Sequence, residues 1–264
     1  MTETFAIYLL LGAFAGTIAG LLGVGGGLII VPVLVYVFTR QQLDPEVMVH
    51  VAVGTSLATI VFTALSSVRA HHKRGAVHWD VFWKITPGIV LGALLGSLLA
   101  KWMPAHVLRR FFAIFEWLVA AQMLVGLRPK PGRKMPRFVG MAGVGGLIGC
   151  VSAIVGIGGG TLTVPFLVWS NLRMQEAVAT SSACALPIAI AGAAGFVLTG
   201  WGSPQLPPTS LGYVYLPAFL GIVLASVLFA PVGAWLAHRL PATTLRQFFA
   251  IFLVLLGIYM FTPH

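Results

Sequence analysis

The sequence predicts an all-α polytopic membrane protein made of two inverted repeats, each with a glycine-broken, re-entrant helical element and three full transmembrane helices. Three observations predict it. The chain is 58% hydrophobic and only 8% charged, with a mean hydropathy of +0.97, where soluble domains run at roughly 25% charged residues. The stretch GLLGVGGGLIIVP at 20–32 returns as AIVGIGGGTLTVP at 153–165, which sets Gly156, Gly158, Gly159, Gly160 and Pro165 133 positions after Gly23, Gly25, Gly26, Gly27 and Pro32. The basic residues gather in some loops and avoid others.

Taken in order, the apolar runs are approximately 5–38, 48–68, 80–100 and 107–127, then 138–170, 176–199, 213–237 and 246–261. Several reach the roughly 20 residues that a helix needs to cross a hydrocarbon core. None shows the period-2 alternation of a transmembrane barrel. The first run has no basic n-region and is followed by further membrane segments, so it does not read as a cleaved signal peptide. The first repeat is residues 1–127, residues 128–137 (RPKPGRKMPR) form a basic linker, and the second repeat is 138–264. Two further pairs support the duplication: GTS at 54–56 against ATS at 179–181, and LRRFFAIF at 108–115 against LRQFFAIF at 245–252. The uncharged run from Phe5 to Phe38 spans 34 residues, about 51 Å as one helix against a core of about 30 Å. It must tilt, break or turn back, and adjacent glycines, each costing about 1 kcal/mol inside a helix, mark the break.

Charge orients the repeats. The loop after the second segment carries Arg69, Lys73 and Arg74, and the linker carries Arg128, Lys130, Arg133, Lys134 and Arg137; the positive-inside rule puts both in the cytoplasm. The loop at 201–212, which occupies the corresponding place in the second repeat, has no charge and is expected on the other side, so the repeats are inverted. Lys101, Arg109 and Arg110 fall on the outer side in this scheme, against the rule. The net charge of +10 is thereby accounted for by membrane topology, and no nucleic-acid partner is expected. Cys150 and Cys184 lie within apolar runs without a partner at metal-ligand spacing. There is no Ser-His-Asp, HExxH or CxxC arrangement, and neither an enzyme nor a cofactor is expected. GVGGG lacks the strand and acidic residue of a dinucleotide-binding fingerprint.

Irregular backbone at membrane depth is tolerated where protein or a water-filled cavity surrounds it. A helix restarting after Gly27 or Gly160 offers its first N–H groups and the positive end of its dipole to an anion. Two such starts, related by a pseudo-twofold axis, converge near the midplane in broken-helix transporters. Isolated glycines at helical spacing (Gly12, Gly16, Gly20; Gly145, Gly149) read instead as helix-packing residues.

On the doubled GxGGGxxxxP motif, GVGGGLIIVP and GIGGGTLTVP, the chain resembles the sulfite exporter TauE/SafE family, also called the sulfonate uptake permease family, over essentially its whole length. The resemblance implies a carrier in the bacterial inner membrane for a small sulfur-containing anion such as sulfite or an organosulfonate. The expected anion site is Gly25, Gly26 and Gly27 with Gly158, Gly159 and Gly160, completed by the hydroxyls of Thr55, Ser56, Thr180 and Ser181, which remain neutral and so permit release. A hydroxyl bonded to its own helix backbone is the alternative for these four. Glu116 is the one acid deep within a span, which makes it the candidate for proton coupling; its repeat counterpart is Leu253. A hydrogen bond to a neighbouring helix, near Gln122, is the plainer reading of that carboxyl. The expected partners are the anion, the bilayer and protons as coupling ion, with the halves rocking to alternate access. An anion channel, which uses the same helix-end sites without alternating access, is the competing reading.

Overall fold

The computed structural model describes residues 2–22, 26–125, 132, 135–237 and 242–262, the side chains at 2–4, 20–22, 230–231, 233–237 and 242–246 excepted. The first half contains α1 (Thr2–Leu22), α2 (Gly27–Arg40), α3 (Pro45–Lys73), α4 (Trp79–Trp102) and α5 (Ala105–Val125). The second contains α6 (Phe138–Val155), α7 (Gly160–Trp169), α8 (Met174–Gly200), α9 (Leu216–Ala237) and α10 (Ala242–Phe261), with a short antiparallel ribbon of β1 (Ser210–Leu211) and β2 (Val214–Tyr215) before α9. The protein is thus all-α and polytopic. Each long first run resolves into two helices separated at its glycines, as the length argument requires.

Local chemistry sets the boundaries. Asp44 caps α3 by accepting the N–H of Glu46 at 2.9 Å, with Pro45 in the first turn, where its missing N–H costs nothing. Glu176 does the same for α8 by reaching back to the N–H of Arg173 at 3.1 Å. Gly156 ends α6 in the left-handed conformation (φ +77), which lets Ile157 N–H close on the Ser152 carbonyl at 3.0 Å.

The two short helices turn back along their predecessors. Tyr8, early in α1, accepts a hydrogen bond from Gln41 Nε2, just past α2, at 2.9 Å, so α1 and α2 open at the same face with Gly26 and Gly27 at the inner end. Likewise Met141, early in α6, shares one apolar cluster with Leu167, Val168 and Leu172 at the end of α7. The two hairpins open at opposite faces. Phe38, His50 and Tyr8 stack against Tyr213 and Tyr215 of the ribbon, and His50 Nε2 donates to the carbonyl of Ala100 at the end of α4. At the other end of α4, Val77 and Phe82 belong to the cluster that holds Met141 and Leu172. A hairpin followed by three helices, α3, α4 and α5, leaves the second half entering from the face opposite the first, which makes the repeats inverted.

The halves interlock. α1 packs chiefly on α9 and α4 chiefly on α6, each pair joining one half to the other, while α3 faces α8 and α5 faces its own counterpart α10. These contacts are close because glycine permits it. A side chain at Gly88, Gly92 or Gly96 of α4 would run into the backbone carbonyls of Ala142, Gly146 and Cys150 of α6. Gly12 and Gly16 of α1 lie as tightly on Ile222 and Ser226 of α9. The outer surface is apolar, with Leu91, Leu95, Leu118, Leu147, Leu220 and Leu228 exposed, the inverse of a soluble surface. Among the described residues, 45–73, 79–102, 138–155 and 174–200 are long and apolar enough to cross a bilayer. Trp102 and Trp201 project outward at helix ends, 77% and 68% exposed, as interfacial anchors do.

Candidate functional site

The tips of the two hairpins meet inside the protein. A side-chain carbon on Gly27, the first residue of α2, would fall within contact of the Gly156 carbonyl oxygen and 3.0 Å from Ile157 Cα, so the start of α2 lies directly on the turn between α6 and α7. Gly26, Gly27 and residues 156–160 are all buried. Gly25 lies outside the described residues.

The second turn explains its own spelling. Gly156 and Gly159 both have positive φ (+77 and +73), which side chains rarely adopt. Gly158 fits between Ala185 of α8 and Ile60 of α3, its added carbon meeting them at 3.2 and 3.3 Å. Gly159 caps α7, and Gly160 opens it. The first turn is not a copy in detail, since Gly26, the counterpart of Gly159, has φ −71. In both helices the opening N–H groups have no backbone acceptor among the described residues: Gly27 and Leu28 in α2, Gly160 and Thr161 in α7. Each N-terminus carries about half a positive charge, and both are directed into the junction.

The four hydroxyl residues are buried but differ in what they touch. Thr55 Oγ1 accepts the N–H of Tyr215 at 3.0 Å, and Thr180 Oγ1 accepts the N–H of His78 at 3.0 Å. These are repeat mates doing the same thing: each threonine sits on α3 or α8 and holds the chain just before α9 or α4. Ser56 donates to the Gly156 carbonyl at 2.8 Å and so ties α3 to the second turn. Ser181, its counterpart, is 2% exposed, and its oxygen has no hydrogen-bond partner among the described residues. None of the four bonds to its own helix backbone, as Thr59 and Ser182 do.

Three further hydroxyls escaped the sequence argument. Ser152, Thr161 and Thr163 have buried oxygens without a partner among the described residues, and Ser152 Oγ lies 3.1 Å from where a side-chain carbon on Gly159 would stand. The signal was present in copy two, whose GGGTLT places threonines at 161 and 163 where copy one has Leu28 and Ile30. Buried hydroxyls without partners are costly, by about 1–3 kcal/mol each, and these surround the start of α7.

Glu116 lies on α5, fully buried, with neither carboxyl oxygen partnered among the described residues. The bond near Gln122 is therefore absent there. Glu116 and the junction are on different elements.

A family model described as "Sulfite exporter TauE/SafE" matches residues 8–260. A probable membrane transporter protein of Haemophilus influenzae is 37% identical over 254 residues, covering 96% of both chains. The probable membrane transporter protein YunE of Bacillus subtilis is 27% identical, again with 96% of each chain covered. A probable membrane transporter protein of Methanocaldococcus jannaschii is 25% identical over 96% of this chain and 94% of its own. No solved structure matches the chain significantly.

Proposed function

Because the chain belongs to the sulfite exporter TauE/SafE family, we propose that this membrane transporter is a secondary carrier of a small sulfur-containing anion, such as sulfite or an organosulfonate, working by alternating access. The bilayer is the bacterial inner membrane, with the loop at 69–78 in the cytoplasm. The observation that carries the reading is the meeting of two helix N-termini at a buried junction, where the opening N–H groups of both helices have no backbone acceptor among the described residues. An anion there is held by N–H groups, hydroxyls and helix dipoles rather than by a fixed cation, which favours binding weak enough to release.

The residues divide their work. Gly26, Gly27, Gly158, Gly159 and Gly160 let the backbone approach the anion. Ser181 and Ser152, with Thr161 and Thr163 at the start of α7, supply hydroxyl donors. Ser56 ties α3 to the second glycine turn, and Thr55 and Thr180 fix the loops that enter α9 and α4. Glu116 carries the coupling proton: it is an acid buried deep within α5, and neither of its carboxyl oxygens has a partner among the described residues.

The test is uptake by purified protein in proteoliposomes of sulfite, sulfate, sulfoacetate, taurine and chloride, with and without a pH gradient and with unlabelled substrate inside. Accumulation of a sulfur oxyanion or sulfonate with trans-stimulation supports the carrier. Downhill chloride flux without exchange replaces it with a channel.

A further inference from the structure

A second candidate site lies away from the junction, at the face where the α1–α2 hairpin opens. A cavity of about 660 Å³ is lined there by the ends of α2 and α4, the starts of α3 and α5, Tyr213, and the end of α10. Among the described residues, three cationic side chains line it, Lys101, Arg109 and Arg110, against one carboxylate, Glu46. All three break the positive-inside pattern, so membrane topology does not account for them.

Two of the cations are held in place. Arg109 Nη2 donates to the Tyr259 carbonyl at 3.0 Å, its guanidinium lies 5.6 Å from that ring's centre, and Arg110 lies 5.9 Å from the ring centre of Phe261. Arg109 nevertheless keeps a buried Nε–H with no acceptor among the described residues. Arginine has donors only, so this one lacks an acceptor that a ligand would supply.

We propose that this cavity captures a small soluble oxyanion ahead of the glycine junction, with Arg109 as its principal ligand and Lys101 and Arg110 drawing the anion in. The assignment of the captured anion as the transported one rests on the carrier reading above. The geometry suits the sequence of events, because α2 runs from the junction at Gly27 to the cavity at Val35 and Thr39, a distance of about 12 Å to the nearer of them.

The experiment reads the cavity directly. In the full-length protein with Cys150 and Cys184 replaced by alanine, His106→Cys places a thiol on the cavity wall. In phosphatidylcholine vesicles it is labelled with anionic sulfonatoethyl and cationic trimethylammonioethyl methanethiosulfonate, each rate normalised to a free thiol. The anionic reagent is expected to react roughly tenfold faster, to lose that advantage when Lys101→Gln and Arg109→Gln are added, and to be slowed by millimolar sulfate or sulfoacetate. Lys101 is exposed, so Lys101→Gln alone keeps the test sound if Arg109→Gln does not fold; it should cost part of the advantage. Equal rates for the two reagents overturn the proposal. Protection by phosphatidylglycerol but not by soluble anions overturns it too, and makes the cavity a lipid-headgroup site. Charge-blind labelling in a protein that transports removes the cavity alone, whereas anion-protected labelling in a protein that transports nothing leaves the cavity and removes the carrier.

Discussion

Gly27→Ala and Gly26→Ala differ by one position and should differ sharply in outcome. The new carbon at 27 enters the Gly156 carbonyl and stands 3.0 Å from Ile157 Cα, both backbone atoms. Nothing local can rotate away, so α2 and the α6–α7 turn must part. Forcing a methyl into a packed interior costs about 1–3 kcal/mol, which for a chain of this size is a fall of about 2–12 °C in melting temperature. The carbon at 26 meets the terminal methyl of Ile30 at 3.1 Å and Ala15 at 3.5 Å. A turn of the Ile30 side chain relieves the first at about 0.5–1.5 kcal/mol. The backbone at 26 has right-handed helical angles (φ −71, ψ −7), so alanine also gains about 0.4–1 kcal/mol by restricting the unfolded chain. The net is near zero. Thermal melts in detergent and counterflow in proteoliposomes measure both variants. Gly27→Ala should lose stability and exchange, and Gly26→Ala should keep its stability. A Gly27→Ala protein as stable and active as the parent, or two variants equally destabilised, would refute the junction as described.

Thr55→Val and Thr180→Val each strand a backbone N–H, at Tyr215 and His78, and should cost about 1–3 kcal/mol apiece in thermal melts, with serine restoring most of it. Gly92→Leu drives α4 off the Gly146 backbone and should cost about 3 kcal/mol or more, seen as loss of a monodisperse peak in size-exclusion chromatography. Glu116→Gln keeps the buried volume and should leave the melting temperature and counterflow close to the parent's while abolishing accumulation driven by a pH gradient; unchanged pH-driven uptake removes Glu116 from the coupling role. Ser56→Ala frees the Gly156 carbonyl and should cost about 1 kcal/mol of stability. Ser181→Ala removes a hydroxyl with no partner among the described residues, so it should leave stability intact and lower transport.

Composition and repetition made the architecture legible, because the bilayer imposes lengths and a duplication imposes symmetry. The break at the glycines followed from a 34-residue run that a straight helix could not use. The hairpin geometry was half legible: the need to tilt, break or turn back was clear, but that Gly27 rests on Gly156 depends on how α3 and α8 cross, which no local pattern encodes. Hydroxyl roles were least legible. Thr55 and Ser56 are neighbours in sequence, yet one holds the ribbon before α9 and the other the second glycine turn. The cationic cavity was present only as an anomaly, since Lys101, Arg109 and Arg110 broke a topological rule before the fold gave them a common wall.

The packing also constrains how such a molecule can move. Rocking the first half against the second, as repeat transporters invite one to expect, would pull α4 from α6 and α1 from α9. Those are the seams where Gly88, Gly92 and Gly96, and Gly12 and Gly16, bring backbone against backbone. Close-packed interfaces of this kind do not slide in small increments; they hold or repack as a whole. A motion that preserves them carries α1 with α9 and α4 with α6, one helix from each half in either body. The division that matters mechanically then cuts across the sequence repeats instead of following the linker at 128–137. The junction of Gly27 with Gly156 joins hairpins from opposite halves, and a side-chain latch, Ser56 to the Gly156 carbonyl, ties α3 to the far turn. A hydrogen bond worth about 1 kcal/mol is a contact that such a motion can break and remake within a transport cycle, whereas the glycine seams are not.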